Sequence, residues 1–313
     1  MKTGLRGTSL LVTVSLLVVL AIDCQAASHD LQFWRDISKH SWAVPEGASA
    51  DALADELSGG LGSTNAELRD DLAYSILAHW IYYGKLSHDE MNRLADEWRG
   101  NMKKGVGESG NDSVLLRSFS ALCLSEIVAR DVKDPFFGAD RYRALLADTL
   151  AYLNSERDLR GYDEKLGWIH ATAHTADLLR ELAMNSLFVK ADQAATLAAI
   201  SERLASARLI YTHGEQERLA VAIEAITERS DFDGDGFEAW LQRIQERDRA
   251  MWSHSPIGLD DMARYQNDSY MLQALAAHQS LAQSGAGSER VASAPSAAFR
   301  RAQELVLKAI KER

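Results

Sequence analysis

A chain of 313 residues with 45 acidic and 34 basic side chains carries a formal charge of −11. That balance argues against nucleic acid and anionic membrane surfaces as partners, because both attract an excess of cations. With 46% hydrophobic residues and only four prolines, the chain has the means to build a large core and little to interrupt helices.

The first segment reads as an address and not as fold. Lys2 and Arg6 precede an apolar run from Leu10 to Ile22 broken only by Thr13 and Ser15, and small residues lead to Ala26 and Ala27. This is the layout of a secretory signal peptide over residues 1–26, with cleavage expected after Ala26, and it predicts export to the periplasm or the extracellular space. A lipid anchor on Cys24 is the competing reading, and Asp23 beside it speaks against that. The run is shorter than the ~20 apolar residues of a membrane span, and no later segment approaches that length. Losing two cations and one anion moves the formal charge to −12. Cys123 is then the one remaining thiol, set in an apolar helical stretch where packing is the expected role.

Residues 27–313 are expected to form a single helical-repeat domain. Apolar residues recur at intervals of three and four, and no stretch alternates with period two. Helices are predicted over 30–40, 49–57, 66–84, 88–104, 113–131, 139–154, 168–185, 190–207, 215–229, 237–253, 260–284 and 296–312. Ser87 and Glu90 have the spacing of a capping box, Pro135 marks a stop, and Ser284 to Ser288 with Pro295 separates the last two. First helices of successive pairs start about 44 to 55 residues apart, a period typical of helical hairpins. The predicted fold is therefore all-α: a curved, HEAT-like stack of antiparallel hairpins, with closure into an α/α toroid compatible with the same pattern. Ligands of such stacks bind the concave face.

Chemistry concentrates in residues 156–181. On a helix starting at Trp168, His170, His174, Asp177 and Glu181 fall within about 60° of one another. Such a stripe can chelate a divalent metal through His170 and His174, carry a proton with Asp177 as orienter, hold a polar ligand, or simply hydrogen-bond its neighbours. The preceding loop brings Glu156, Asp158 and Arg160. An arginine flanked by acids either clamps a carboxylate or sugar hydroxyl or pins its own loop.

Several segments together resemble a bacterial family known as domain of unknown function 2785. They are Leu68–Tyr74, Arg117–Ser120, Glu156–Gly161, Gly167–Asp177, Glu215–Ala220 and Tyr265–Asn267. The Gly-Trp-x-His-x-x-x-His-x-x-Asp run from Gly167 is the most specific of them. The resemblance implies an all-helical fold and no particular activity. Gln216 stands where it would lead one to expect an acid.

Outside that resemblance, Asp231, Asp233 and Asp235 alternate before Gly236, with Phe237 as a carbonyl donor, as in the first half of a calcium loop. The twelfth position is Gln242 and not a glutamate, so the segment reads either as a weak Ca2+ site or as a polar turn that caps a helix. No phosphate-binding glycine loop, nucleophile elbow or cysteine zinc set occurs. The functional expectation is an exported scaffold that binds a small polar ligand, a glycan or a peptide. Its site is expected to comprise His170, His174 and Asp177 with Glu156, Asp158, Arg160, Trp168 and Glu181. The alternative is a metal-dependent or histidine-based hydrolase or lyase at the same place.

Overall fold

The computed structural model describes residues 29–284 and 296–313. The leader and the break after Ser284 lie outside these residues. Among the described residues the fold is all-α. Helices α1 (Leu31–Lys39) and α2 (Ala50–Ser58) are each capped by the side chain before them, Asp30 and Ser49, which accept a first-turn N–H. A 3-10 turn (Gly59–Gly62) follows, then a π-helical segment (Glu67–Tyr74) that runs into α3 (Ser75–Tyr82). Next come α4 (His88–Asn101), α5 (Ser113–Lys133), α6 (Ala139–Ser155), α7 (Ala171–Met184) and α8 (Lys190–Ser206). The chain continues with α9 (Glu215–Thr227), α10 (Gly234–Trp252), α11 (Leu259–Ser284) and α12 (Ala297–Lys311).

The capping box at α4 forms by half. Ser87 accepts from the Glu90 N–H at 3.1 Å, but the Glu90 carboxylate turns to Arg93, and Asp51 of α2 takes the Ser87 N–H at 2.9 Å. A helix start is thereby tied to a neighbouring helix.

Helices α5, α7, α9 and α11 form one row, each packed on the next, and α4, α6, α8, α10 and α12 pack behind it. The row is parallel. Near their N-terminal ends Ser118 of α5 meets His174 of α7, and at their C-terminal ends Asp131 in the last turn of α5 meets Asn185 just after α7. Asp177 of α7 meets Arg218 of α9, and Arg229 after α9 caps the carbonyls of Ala183 and Asn185. One continuous core cluster extends from Trp34 and Ile37 in α1 to Val306 and Ala309 in α12. Helix α5 is buried nearly throughout, Cys123 included. Each fully buried Leu, Ile or Phe of this core contributes about 1.5–3 kcal/mol.

One expectation fails locally. The chain does not become helical at Trp168. Tyr162–Asp163 (β1) and Gly167–Trp168 (β2) pair as a short antiparallel ribbon, with Tyr162 opposite Trp168. Asp163 makes the turn, accepting from the N–H groups of Lys165 and Leu166 at 2.8 and 2.9 Å. Gly167 has φ +72°, where any side chain is strained, and a Cβ there would crowd Ala66 and Asp70 at 3.0 Å. The helix begins at Ala171, and His170 becomes its left-handed lead residue (φ 52°, ψ 31°).

The ribbon is held from beneath. The fully buried Arg117 of α5 meets Glu156 through two bonds of 2.6 and 3.1 Å and reaches the Lys104 carbonyl and the Ser113 hydroxyl. Glu156 also accepts the N–H groups of Arg157 and Asp158. Removing one partner of such a buried pair strands the other charge, which costs about 3–5 kcal/mol. Arg117→Met is therefore expected to lower the unfolding free energy in urea by that amount. Adding Glu156→Gln, which keeps an acceptor for the two N–H groups, should restore at least half; a single-variant loss within the noise of the measurement would contradict the pinning role.

Candidate functional site

The loop and ribbon between α6 and α7 carry Trp168 and His170 to the N-terminal ends of α5, α7 and α9. The Trp168 indole lies over the His170 ring, with centroids 4.8 Å apart and planes 22° off parallel. His170 meets His174 edge to face at 5.6 Å, and His174 meets Phe119 at 4.9 Å. Tyr162 flanks the indole at 5.1 Å. The result is a continuous row of four rings, buried at Phe119 and opening at Trp168, which is 42% exposed. Arg69, from the π-helical segment, lies over Phe119 at 4.8 Å and donates to the carbonyls of Ser63, Leu166 and Trp168. It thus fixes the ribbon from the other side.

The protons on both imidazoles follow from their partners. Ser118 donates its single hydroxyl proton to the Ile169 carbonyl, so it can only accept from His174, whose Nδ1 lies 2.8 Å away. His174 therefore carries its proton on Nδ1 and leaves Nε2 bare. Nε2 bonds to no described residue, on a side chain that is buried. His170 donates from Nε2 to the His213 carbonyl at 2.9 Å, which leaves Nδ1 bare in the neutral ring.

Electrostatics keep these rings neutral. Burial pushes His174 well below the ordinary imidazole value, and His170 and Arg218 push the same way. Burial also lowers His170, partly opposed by Glu215, whose Oε1 lies 3.6 Å from Nε2. His213 can lie against Gly161 only because that residue has no side chain: a Cβ would stand 2.5 Å from the His213 Nδ1.

The other expected members take different places. Asp177 orients neither imidazole; its carboxylate oxygens are each 2.7 Å from Arg218 Nη1. Burial raises the Asp177 carboxyl, and Arg218 works against that. Glu181 pairs with Arg180. Glu156 is taken up by Arg117, as described. Asp158 is buried and binds Arg160 through Nε and Nη2, as well as the N–H groups of Gly110 and Arg160. Burial alone would raise Asp158, but these bonds hold it below the usual carboxylate range. Arg160 spends its remaining reach on the Asn111 carbonyl at 2.7 Å. The acidic loop is thus an ion-pair pin, and the ring row reaches solvent at Trp168.

Along the aspartate loop, Asp231 pairs with Arg229, Asp233 with Lys190 and Asp235 with Arg301. Phe237 sits in the first turn of α10, its ring packed against Phe232 and Trp240. Among the described residues no three His, Cys, Asp or Glu side chains gather as a metal-holding group. Two surface grooves lie elsewhere, at about 550 Å³ between α6 and α8 and about 490 Å³ beside the start of α6; neither is lined by a histidine. Both are open troughs between outer helices, and the polar chemistry gathers at the rings instead.

Sequence reasoning did not single out Ser118 and Arg69 as members of the site, nor Asn267 behind it, while His213 and Glu215 read either as polar contributors at a helix start or as its caps. Asn267 accepts from the Tyr211 N–H and from Gln216, and donates to the Leu209 carbonyl, pinning the loop before α9. Gln216, where an acid was expected, donates to Asn267 and to the Tyr211 carbonyl; an acid could do neither. Arg69, Ser118, Glu215 and Asn267 lay inside the segments that carried the family resemblance, and that was the available signal.

Fold and site together define an all-α protein in which the parallel helices α5, α7 and α9 present a histidine–tryptophan wall at their N-terminal ends. The model of the family described as "Protein of unknown function (DUF2785)" matches residues 102–277, more than half of the chain, and the protein belongs to that family. No curated protein and no solved structure matches the chain. The matched range includes every member of the wall; Arg69 lies before it.

The neutral state of His174 has a measurable consequence. Its folded value lies below the unfolded value near 6.5, so the unfolded chain binds the proton that the folded chain refuses. The stability this provides is complete above that value and is lost as pH falls below it. Relative to His174→Gln, the wild type should lose up to about 1.4 kcal/mol between pH 7.5 and 5.5 in urea titrations. Parallel pH curves for the two proteins would contradict the assignment.

Proposed function

We propose that this is an exported helical-repeat protein that binds a small polar ligand against Trp168, His170 and His174. The carrying observation is that both imidazoles spend their N–H on the protein and keep one bare nitrogen each, beside a half-open indole. A purely structural histidine pair would be expected to satisfy both nitrogens of each ring within the fold. The parallel row of α5, α7, α9 and α11 supports the reading as a curved stack of hairpins, with the wall along its inner helices. The leader-like residues 1–26 support export.

A second reading draws on the same atom. A neutral imidazole with a fixed tautomer and a bare Nε2 is the form a general base needs, so a hydrolase or lyase centred on His174 fits the ring geometry. In that case the orienting group is Ser118 and not Asp177.

A thermal-shift screen of the full chain tests the binding reading. The compounds are monosaccharides, amino acids, blocked dipeptides and nucleosides, with zinc chloride and calcium chloride as separate arms. A ligand at a hundredfold excess over its Kd stabilises by about 2.7 kcal/mol, which corresponds to roughly 5 °C or more for a domain of this size. At least one organic class is expected to raise the melting temperature of the wild type and not that of Trp168→Ala or His174→Gln. Equal shifts in all three proteins, or no shift with any class, would remove the reading. A shift with zinc alone that His174→Gln abolishes would replace it with a metal site.

A further inference from the structure

We infer that the ligand of this wall carries a protonated amine beside a carbonyl, as at the amino end of a peptide or in an amino acid amide, with Glu215 as the balancing charge. The inference rests on the binding reading above and narrows it to one class.

Charge decides first. Around the rings Asp177 is matched by Arg218, Glu181 by Arg180, Asp70 by Arg69 and Asp158 by Arg160. Glu215 is left over. It leads α9, is 2% exposed, and its Oε2 takes the His213 N–H at 2.9 Å. Among the described residues its one ion-pair neighbour is His170, whose Nε2 lies 3.6 Å from Oε1. Burial keeps that ring neutral, and Arg218 and His213 push the same way. A buried carboxylate without a cation is unfavourable, and one positive charge entering beside His170 offsets it. An anion entering there would add to the excess.

Hydrogen bonding agrees. A ring nitrogen without a proton only accepts, and the wall holds two of them: Nδ1 of His170 and Nε2 of His174, on rings whose centroids are 5.6 Å apart. An ammonium has three N–H groups and no lone pair, so it has a proton for each nitrogen and one for water. A hydroxyl has a single proton for the two acceptors.

Trp168 supplies the rest. His170 lies along one face of the indole, and Tyr162 and His213 stand across it at 71° and 87°, so three rings border it. Its N–H bonds to no described residue, on a side chain that is 42% exposed. That donor calls for an acceptor on the ligand, and a carbonyl adjoining the amine provides one. A simple alkylamine leaves the donor unused, and a carboxylate in its place would restore the negative excess.

The test is isothermal titration calorimetry on the full chain at pH 7, where an α-amine with a pKa of about 8 is mostly protonated. The probes are L-alaninamide and L-leucinamide, their N-acetyl forms, L-lactamide, in which a hydroxyl replaces the ammonium, and isopropylamine, which has no carbonyl. At least one free amide is expected to bind, with its acetylated form at least tenfold weaker and lactamide at least tenfold weaker than alaninamide. Glu215→Gln keeps an acceptor for the His213 N–H and removes the charge. It and His174→Gln, each checked for native helicity, should weaken the free amides at least tenfold. Trp168→Phe, which removes the N–H and keeps a ring, should bring alaninamide down to the level of isopropylamine. Lactamide or an acetylated amide that binds as tightly as the free amine, or full affinity in Glu215→Gln, overturns the amine assignment and leaves the binding wall standing. Full alaninamide affinity in Trp168→Phe overturns the carbonyl half of it. Absence of binding by both free amides overturns the whole assignment. If the broader screen is also silent, the wall itself is not a binding site.

Discussion

The site depends on one buried contact, that between the fully buried Arg117 of α5 and Glu156 at the end of α6. A guanidinium without solvent access must find acceptors, and this one finds them in two stretches that the chain would otherwise leave loose: the carbonyl of Lys104 and the carboxylate that opens the 156–170 segment. Glu156 then organises its own successors by accepting two backbone N–H groups, and Asp158 and Arg160 close the arrangement against residues 110 and 111. The ribbon that follows has only two residues in each strand, too few to hold itself. Its position is imposed by Arg117 from α5 and by Arg69 from the π-helical segment.

What that scaffolding supports is a backbone in an uncommon conformation. His170 occupies left-handed space without being glycine, at a cost on the order of 1 kcal/mol. The residue before it sends its carbonyl to Ser118, and the residue after it starts α7. One local distortion thus brings two rings into contact, Trp168 from the ribbon and His174 from the helix, with His170 between them. Because Ser118 passes its proton on to Ile169, the same distortion also settles which His174 nitrogen is bare. Backbone strain, tautomer and exposed indole are parts of a single arrangement.

Much of the helical order was legible in the sequence, since helix starts and stops depend on neighbours a few residues away. Ser49, Ser87 and Pro135 mark ends that a 3.6-residue period fills in between. The stripe was legible in part. His170 and His174 do come together, but Gly167 and the Asp163 turn make His170 a lead residue instead of a first helical one, and periodicity carries no sign of a positive φ. The partners of the acidic residues were out of reach for a different reason. Asp177 finds Arg218 and Glu156 finds Arg117 across neighbouring helices, and nothing local in sequence links them. The Glu156–Arg160 loop admitted both a ligand clamp and a loop pin; burial of Glu156 and Asp158 decides for the pin. The short aspartate run matched a motif by spacing, while each of its carboxylates found a cation, two of them from other helices.

The central claim is that His174 is neutral, protonated on Nδ1 and bare at Nε2. A two-bond proton–nitrogen correlation spectrum of the full chain labelled with 15N-histidine, assigned with His174→Gln, reads that state without any ligand. The account requires one His174 nitrogen resonance in the range of a protonated ring nitrogen, assigned to Nδ1, and one in the range of a bare nitrogen, assigned to Nε2, both unchanged from pH 7.5 to 5.5. The opposite tautomer, or a ring that titrates like a free imidazole, would contradict it.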